Sequence, residues 1–172
     1  MKNKIQPNNI EIPMRDDDFI ITKTDPAGVL TYVNQTFVEF SGYREKELIG
    51  KQHNIIRHPD MPRAVFKMLW DTLKSGHEFN GYVKNLNRDG RHYWVLANVT
   101  PSLDDKGVLL GYYSVRRKPS KAALEIIEDI YHEMLEAEKK AGAKRAIEVS
   151  RQILEHLLKQ NRMNYDEYIL AL

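Results

Sequence analysis

His53-Asn54-Ile55-Ile56-Arg57-His58-Pro59-Asp60-Met61-Pro62 is the stretch on which the reading of this chain turns. It gathers two His, one Arg and one Asp beside two prolines, so its titratable groups sit on a backbone stiffened at two points. A stiff, charged segment is suited to holding a ligand as well as to connecting elements. Behind it Ala64, Val65, Met68, Leu69 and Leu73 recur at helical spacing. This predicts a helix from about Pro62 to Lys74, with the proline in the first turn, where a missing N–H costs nothing. The polar cluster therefore lies at a helix start.

Upstream of the segment, Phe19 to Thr24 and Val29 to Val33 are rich in β-branched and aromatic residues and flank Asp25-Pro26-Ala27-Gly28, a turn signal for a pair of strands. Between Gln35 and Gly50 the pattern is helical but interrupted at Ser41-Gly42, which predicts two short helices. Downstream of the Pro62 helix the period returns to two. Phe79 to Leu86, His92 to Thr100 and Leu109 to Arg116 read as three strands of an antiparallel meander, linked by Asn87-Arg88-Asp89-Gly90 and Asp104-Asp105-Lys106-Gly107. In the first of them Gly81, Val83 and Asn85 share one face and Lys84 the other, which turns Asn85 inward.

Beyond Pro119 the composition shifts. Ser120 can cap a helix in which Leu124, Ile127, Tyr131 and Met134 form an apolar stripe; Gly142 marks a kink, and Ile147, Ser150, Ile153, Leu154, Leu157 and Leu158 continue the pattern. Asn164 with Glu167 reads as a capping box ahead of a last short helix. The division expected is an arm or cap over residues 1–14, a sensor domain over 15–118 and a helical region over 119–172. The stripe is either an interaction surface for a partner or second copy, or packs back on the sheet.

Composition narrows the function. The 172 residues suit one domain with an appendage, and 42% hydrophobic content supports a real core. With 26 basic against 24 acidic side chains the formal charge is +2, which exerts no general pull on nucleic acid or an anionic membrane. No apolar run approaches the roughly 18 residues of a membrane span, and Met1 to Asn9 lacks the apolar core of a secretory signal. The expected location is the cytoplasm, without direct membrane insertion. The absence of Cys fits a reducing compartment and excludes disulfides, thiolate metal sites and a cysteinyl photoadduct. No serine lies in a nucleophile elbow and no Gly-rich phosphate loop precedes a helix, so no enzyme is expected.

Asn34-Gln35-Thr36-Phe37, Ser41-Gly42-Tyr43, the decapeptide around Arg57, Trp70, Val83-Lys84-Asn85 and Tyr93-Trp94-Val95 together resemble the PAS domain of Aer-type aerotaxis receptors, over roughly residues 15 to 118. The resemblance implies an α+β PAS fold, a five-stranded antiparallel sheet with short helices on one face, followed here by a C-terminal helical region. It also implies non-covalently bound FAD, with Asn34, Arg57, His58, Asp60, Phe66, Trp70 and Asn85 as cofactor-binding residues. An Aer-type receptor continues into a membrane anchor, a HAMP domain and a signalling coiled coil. This chain shows none of these and is similar to the PAS subunit of bipartite energy-taxis systems. The implied partner is a separate transmembrane chemoreceptor-type transducer, with a homodimer as a further option.

The chemistry of the residues agrees with such a ligand without requiring it. A pocket for FAD needs cationic donors for the pyrophosphate and an apolar or aromatic slot for the ring. Arg57, His58 and Trp70 supply both kinds, but by spacing alone Arg57 could equally form a surface ion pair with Asp60, and Trp70 could be plain core. Asn85 offers both an amide donor and a carbonyl acceptor, which suits a ring nitrogen that accepts when oxidised and donates when reduced, although it could simply satisfy a backbone group. The His residues at 53, 58, 77 and 92 leave a haem-binding PAS sensor as one alternative, without a recognisable metal spacing; a ligand-free interaction module is the other.

Overall fold

The computed structural model describes residues 5–172. Strands β1 (Ile20–Thr24), β2 (Leu30–Val33), β3 (Phe79–Leu86), β4 (His92–Leu103) and β5 (Leu109–Arg117) form one five-stranded antiparallel sheet in the order β2-β1-β5-β4-β3. Helices α1 (Gln35–Ser41), α2 (Glu45–Leu48) and α3 (Arg63–Lys74), with a single 3₁₀ turn at His53–Ile56, lie between β2 and β3 in the chain. The expected α+β architecture is the one observed.

The strand limits follow from the ladder. β4 runs past Thr100 to Leu103 because Thr100, Pro101 and Ser102 remain in register with Tyr113, Tyr112 and Gly111 of β5. Pro101 is tolerated there because the β3 ladder ends at Phe79–Val99, leaving β5 as the neighbour of β4 beyond that point among the described residues. On the inner face, Ile20, Phe37, Leu48, Ile56, Met61 and Val65 are buried between the sheet and its helices. Each such side chain contributes about 1.5–3 kcal/mol on burial.

Residues ahead of the sheet are held as a cap. Asn8 N–H donates to Gly90 O at 2.9 Å, Ile12 N–H donates to His92 O at 2.7 Å, and Met14 enters the core. Part of the arm expected over 1–14, residues 1–4, lies outside the described residues.

Helix α4 (Lys121–Asn161) starts at Ser120, whose Oγ accepts from Ala123 N at 3.0 Å, and it bends at Gly142. There φ is 71° and ψ 171°, a combination reserved almost entirely for glycine. Helix α5 (Tyr165–Ala171) opens with the capping box read from Asn164 and Glu167. The apolar stripe of α4 packs back on the chain's own sheet: Ile127, Tyr131 and Met134 are buried, the Tyr131 hydroxyl donates to Tyr82 O at 2.8 Å, and Trp94 Nε1 donates to Glu128 at 3.0 Å. Tyr165 stacks on Phe79 at 5.5 Å, bringing α5 against β3. Of the two uses expected for the stripe, the structure shows the intramolecular one.

Past Tyr131 the same helix reaches α3. The buried carboxylate of Glu138 accepts from Arg63 N at 2.8 Å and Ala64 N at 3.3 Å, satisfying two free donors at a helix start that Pro62 cannot cap with a side chain. Glu138→Ala should lower stability by about 1–3 kcal/mol in urea unfolding, because it leaves buried N–H groups unpaired, and Glu138→Gln should recover part of the loss.

Candidate functional site

The inner face of the sheet is too sparsely filled to close against α3. Thr22 and Thr24 of β1, Ala97 of β4 and Ser114 of β5 are short, and the space above them is a cavity of about 210 Å³ that opens to solvent. Leu69, Trp70 and Leu73 of α3, Val83, Val99 and Tyr112 make an apolar wall, with Trp70 edge-on to Tyr112 at 5.5 Å. Gly28 forms the opposite lip with φ +81°, and a Cβ there would stand 3.1 Å from the Trp70 ring.

Two cations line this cavity at different depths. Arg57 is half-buried, its guanidinium 4.0 Å from the Phe66 ring centroid and its Nη2 3.4 Å from Met61 O. Burial lowers its pKa, against the field of Glu138. Arg116 on β5 is buried. Its Nη2 donates to Thr22 Oγ1 at 3.2 Å and lies 2.6 Å from His53 Nε2. Burial and the adjacent Arg116 push His53 well down, so the ring is neutral and its Nε2 accepts. Four buried polar atoms on the cavity wall find no partner among the described residues: Thr24 Oγ1, Asn85 Nδ2, Ser114 Oγ and Arg116 Nη1. Buried polar groups are ordinarily paired, so this concentration of free donors and acceptors fits a polar ligand.

The residues implied by the resemblance divide into two groups. Arg57, Phe66, Trp70 and Asn85 line the cavity together. Asn85 is inward as the strand alternation required, its backbone bridged to that of Arg57, and its Nδ2 has no partner among the described residues. Asn34, His58 and Asp60 lie off the cavity wall. Asn34 caps α1: its Oδ1 accepts from Phe37 N and Ile21 N, while its Nδ2 donates to Phe19 O at 2.7 Å. His58 is fully buried, its Nδ1 accepting from Asp60 N at 3.1 Å and its ring 5.8 Å from that of His92. The exposed Asp60 carboxylate faces Lys84 at 3.4 Å, not Arg57. His58 and Asp60 shape the segment that carries Arg57.

His53, Arg116, Thr22, Tyr112 and Ser114 complete the wall and were not among the residues singled out for binding. A signal existed for β5, since Tyr112, Ser114 and Arg116 alternate at a period of two and so share the inward face. His53 stood within the decapeptide, but only the fold brings it to Arg116.

The fold has counterparts. A family model described as PAS fold matches residues 30–116, and the chain belongs to that family. Over 119 residues it is 42% identical to the aerotaxis receptor of Escherichia coli (strain K12), covering 69% of this chain and 23% of the receptor. Over 87 residues it is 33% identical to the biofilm dispersion protein BdlA of Pseudomonas aeruginosa, covering 50% of this chain and 21% of that protein. The chain thus spans less than a quarter of these relatives. Among solved structures, the light-state blue-light photoreceptor Aureochrome1 LOV superposes with a TM-score of 0.57 at 21% identity, over 64% of this chain and 88% of that one, a likeness of fold.

The His58 environment makes stability depend on pH. Burial, with Lys84 and His92 nearby and Asp60 opposing, pushes His58 down to about 4 from the ordinary 6.5. The unfolded chain therefore binds a proton that the folded one refuses, and stability falls as pH drops through 6.5 and continues to fall to about 4. His58→Asn should flatten the slope of unfolding free energy between these limits, by up to about 3 kcal/mol in total, in urea titrations at stepped pH.

Proposed function

We propose that this protein is a cytoplasmic redox sensor that binds FAD non-covalently and relays its redox state to a separate transmembrane chemoreceptor-type transducer. The observation that carries the reading is the cavity, apolar along α3 and studded with unpaired donors and acceptors at Asn85, Ser114 and Arg116, in a PAS domain 42% identical to an aerotaxis receptor. Flavin supplies electron uptake and release on a planar ring. The wall of Leu69, Trp70 and Tyr112 suits the flat faces of that ring, and Asn85 can donate to or accept from its edge. Arg57, half-exposed at the segment before α3, offers a guanidinium of the kind that pairs with phosphate.

A flavin is favoured over haem by the state of His53. It is the one histidine on the cavity wall among the described residues, and its Nε2 is engaged by Arg116 and Thr22 rather than free to ligate iron. Off the wall, the rings of His58 and His92 lie edge-on to each other at 5.8 Å.

The test is the absorption spectrum of the purified protein, followed by chromatography of the nucleotide released on heating. FAD is the expected species; haem, FMN or an empty cavity in flavin-replete cells overturns the proposal. Arg57→Ala should fold normally and bind FAD about 10- to 100-fold more weakly, the loss of a charge-assisted hydrogen bond. Co-purification with a membrane-anchored transducer then tests the partner.

A further inference from the structure

Arg116 stands in register with Ile20 of β1 and Ala97 of β4, in the middle of the sheet and at the floor of the cavity. Burial lowers its pKa to about 10, still high enough for the guanidinium to remain charged at neutral pH. Among the described residues no carboxylate lies within 4.0 Å of it, and Nη1 has no partner. The titratable groups facing it are neutral: His53 is held well below its ordinary pKa, and burial raises the Tyr93 hydroxyl. The guanidinium thus keeps its positive charge in the core beside Thr22, the neutral His53 and the Phe37 ring, whose centroid is 5.9 Å from its Cζ, with no counter-ion among the described residues, and a buried ion without a counter-ion is strongly disfavoured. Arg57 differs, because it is half-exposed and can be hydrated.

We infer that Arg116 is the counter-charge for the heteroaromatic edge of the bound ligand and that it sets the ligand's reduction potential. The inference rests on the flavin reading of the cavity. A neutral oxidised ring that takes up two electrons from an external reductant and one proton from water carries one net negative charge. Arg116 lines the cavity beside Thr22 and His53, in a wall that also holds Trp70 and Tyr112. It meets the carbonyl edge before reduction and holds the added charge after it, so it favours the reduced state and raises the potential. The phosphate tail is left to Arg57, at the shallower position.

The test compares wild type with Arg116→Met, which removes the charge at similar volume, and with Arg116→Lys and Arg116→Gln, which keep the charge or a donor. Three quantities are measured: the melting temperature of protein stripped of flavin, the affinity for FAD, and the potential of the FAD-loaded protein against a reference dye during dithionite titration. Stripped Arg116→Met should melt above stripped wild type. It should lose at least about tenfold more affinity for reduced than for oxidised FAD, seen as a fall in potential, and Arg116→Lys should restore most of it. An unchanged potential in FAD-loaded Arg116→Met overturns the inference, as does failure of both the Met and Gln variants to fold, which makes the guanidinium a structural residue. If wild type takes up no flavin, the reading of the cavity falls on its own. The melting temperatures then decide for Arg116: a higher value for Arg116→Met supports a charge kept for an anionic ligand, and a lower one overturns it.

Discussion

An antiparallel sheet with apolar side chains on both faces must be covered twice, and much of this structure answers to that constraint. The inner face carries Ile20, Val83, Val95 and Ala97, and the outer face carries Tyr82, Trp94 and Leu96. Helices α1 to α3 cover the first. The second would be left to water if the chain stopped at β5, and α4 and α5 bring Ile127, Tyr131, Met134 and Tyr168 into the same apolar core. The C-terminal region is thus part of the sheet's core.

That packing links two regions far apart in sequence. α4 leaves the sheet at Tyr131, ends its first arm by capping α3 through Glu138, and returns after Gly142 with Leu154 against the core. The start of α3 is also the end of the Arg57–Pro62 segment, and that segment is bridged to β3 through Arg57 and Asn85. The Arg57 segment and the C-terminal helices thus meet at one buried carboxylate and two backbone donors. The contacts form one continuous packed path, the kind of arrangement through which a bound group can bias a distant element.

The cavity has the opposite origin. It exists because Thr22, Thr24, Ala97 and Ser114 are too small to fill the space beneath α3, and because the larger polar group there, Arg116, is held back by Thr22 and His53. The packing contacts forgone beneath α3 cost stability. Unpaired polar atoms add to that cost. Both penalties fall on the same few residues, which is the pattern expected where stability is given up for a ligand.

The local features of this protein were decided by the sequence. Alternation at a period of two placed β3 and turned Asn85 inward; a helical period behind Pro62 placed α3; and Ser120, Gly142 and the Asn164–Glu167 pair marked caps and a bend that the backbone adopts, because each depends on residues within a few positions of one another. The decapeptide also announced the family and the place of Arg57. What only the tertiary structure decided depends on residues far apart in the chain. The pairing of His53 with Arg116 spans 63 positions and that of Glu138 with Arg63 spans 75, and neither has a periodic signature. The same holds for the contacts that Asn34, His58 and Asp60 make within the chain: the α1 cap, a buried His pair and Lys84. A stripe such as Ile127, Tyr131 and Met134 states that a surface must be buried; which surface buries it is set by the geometry of the whole chain.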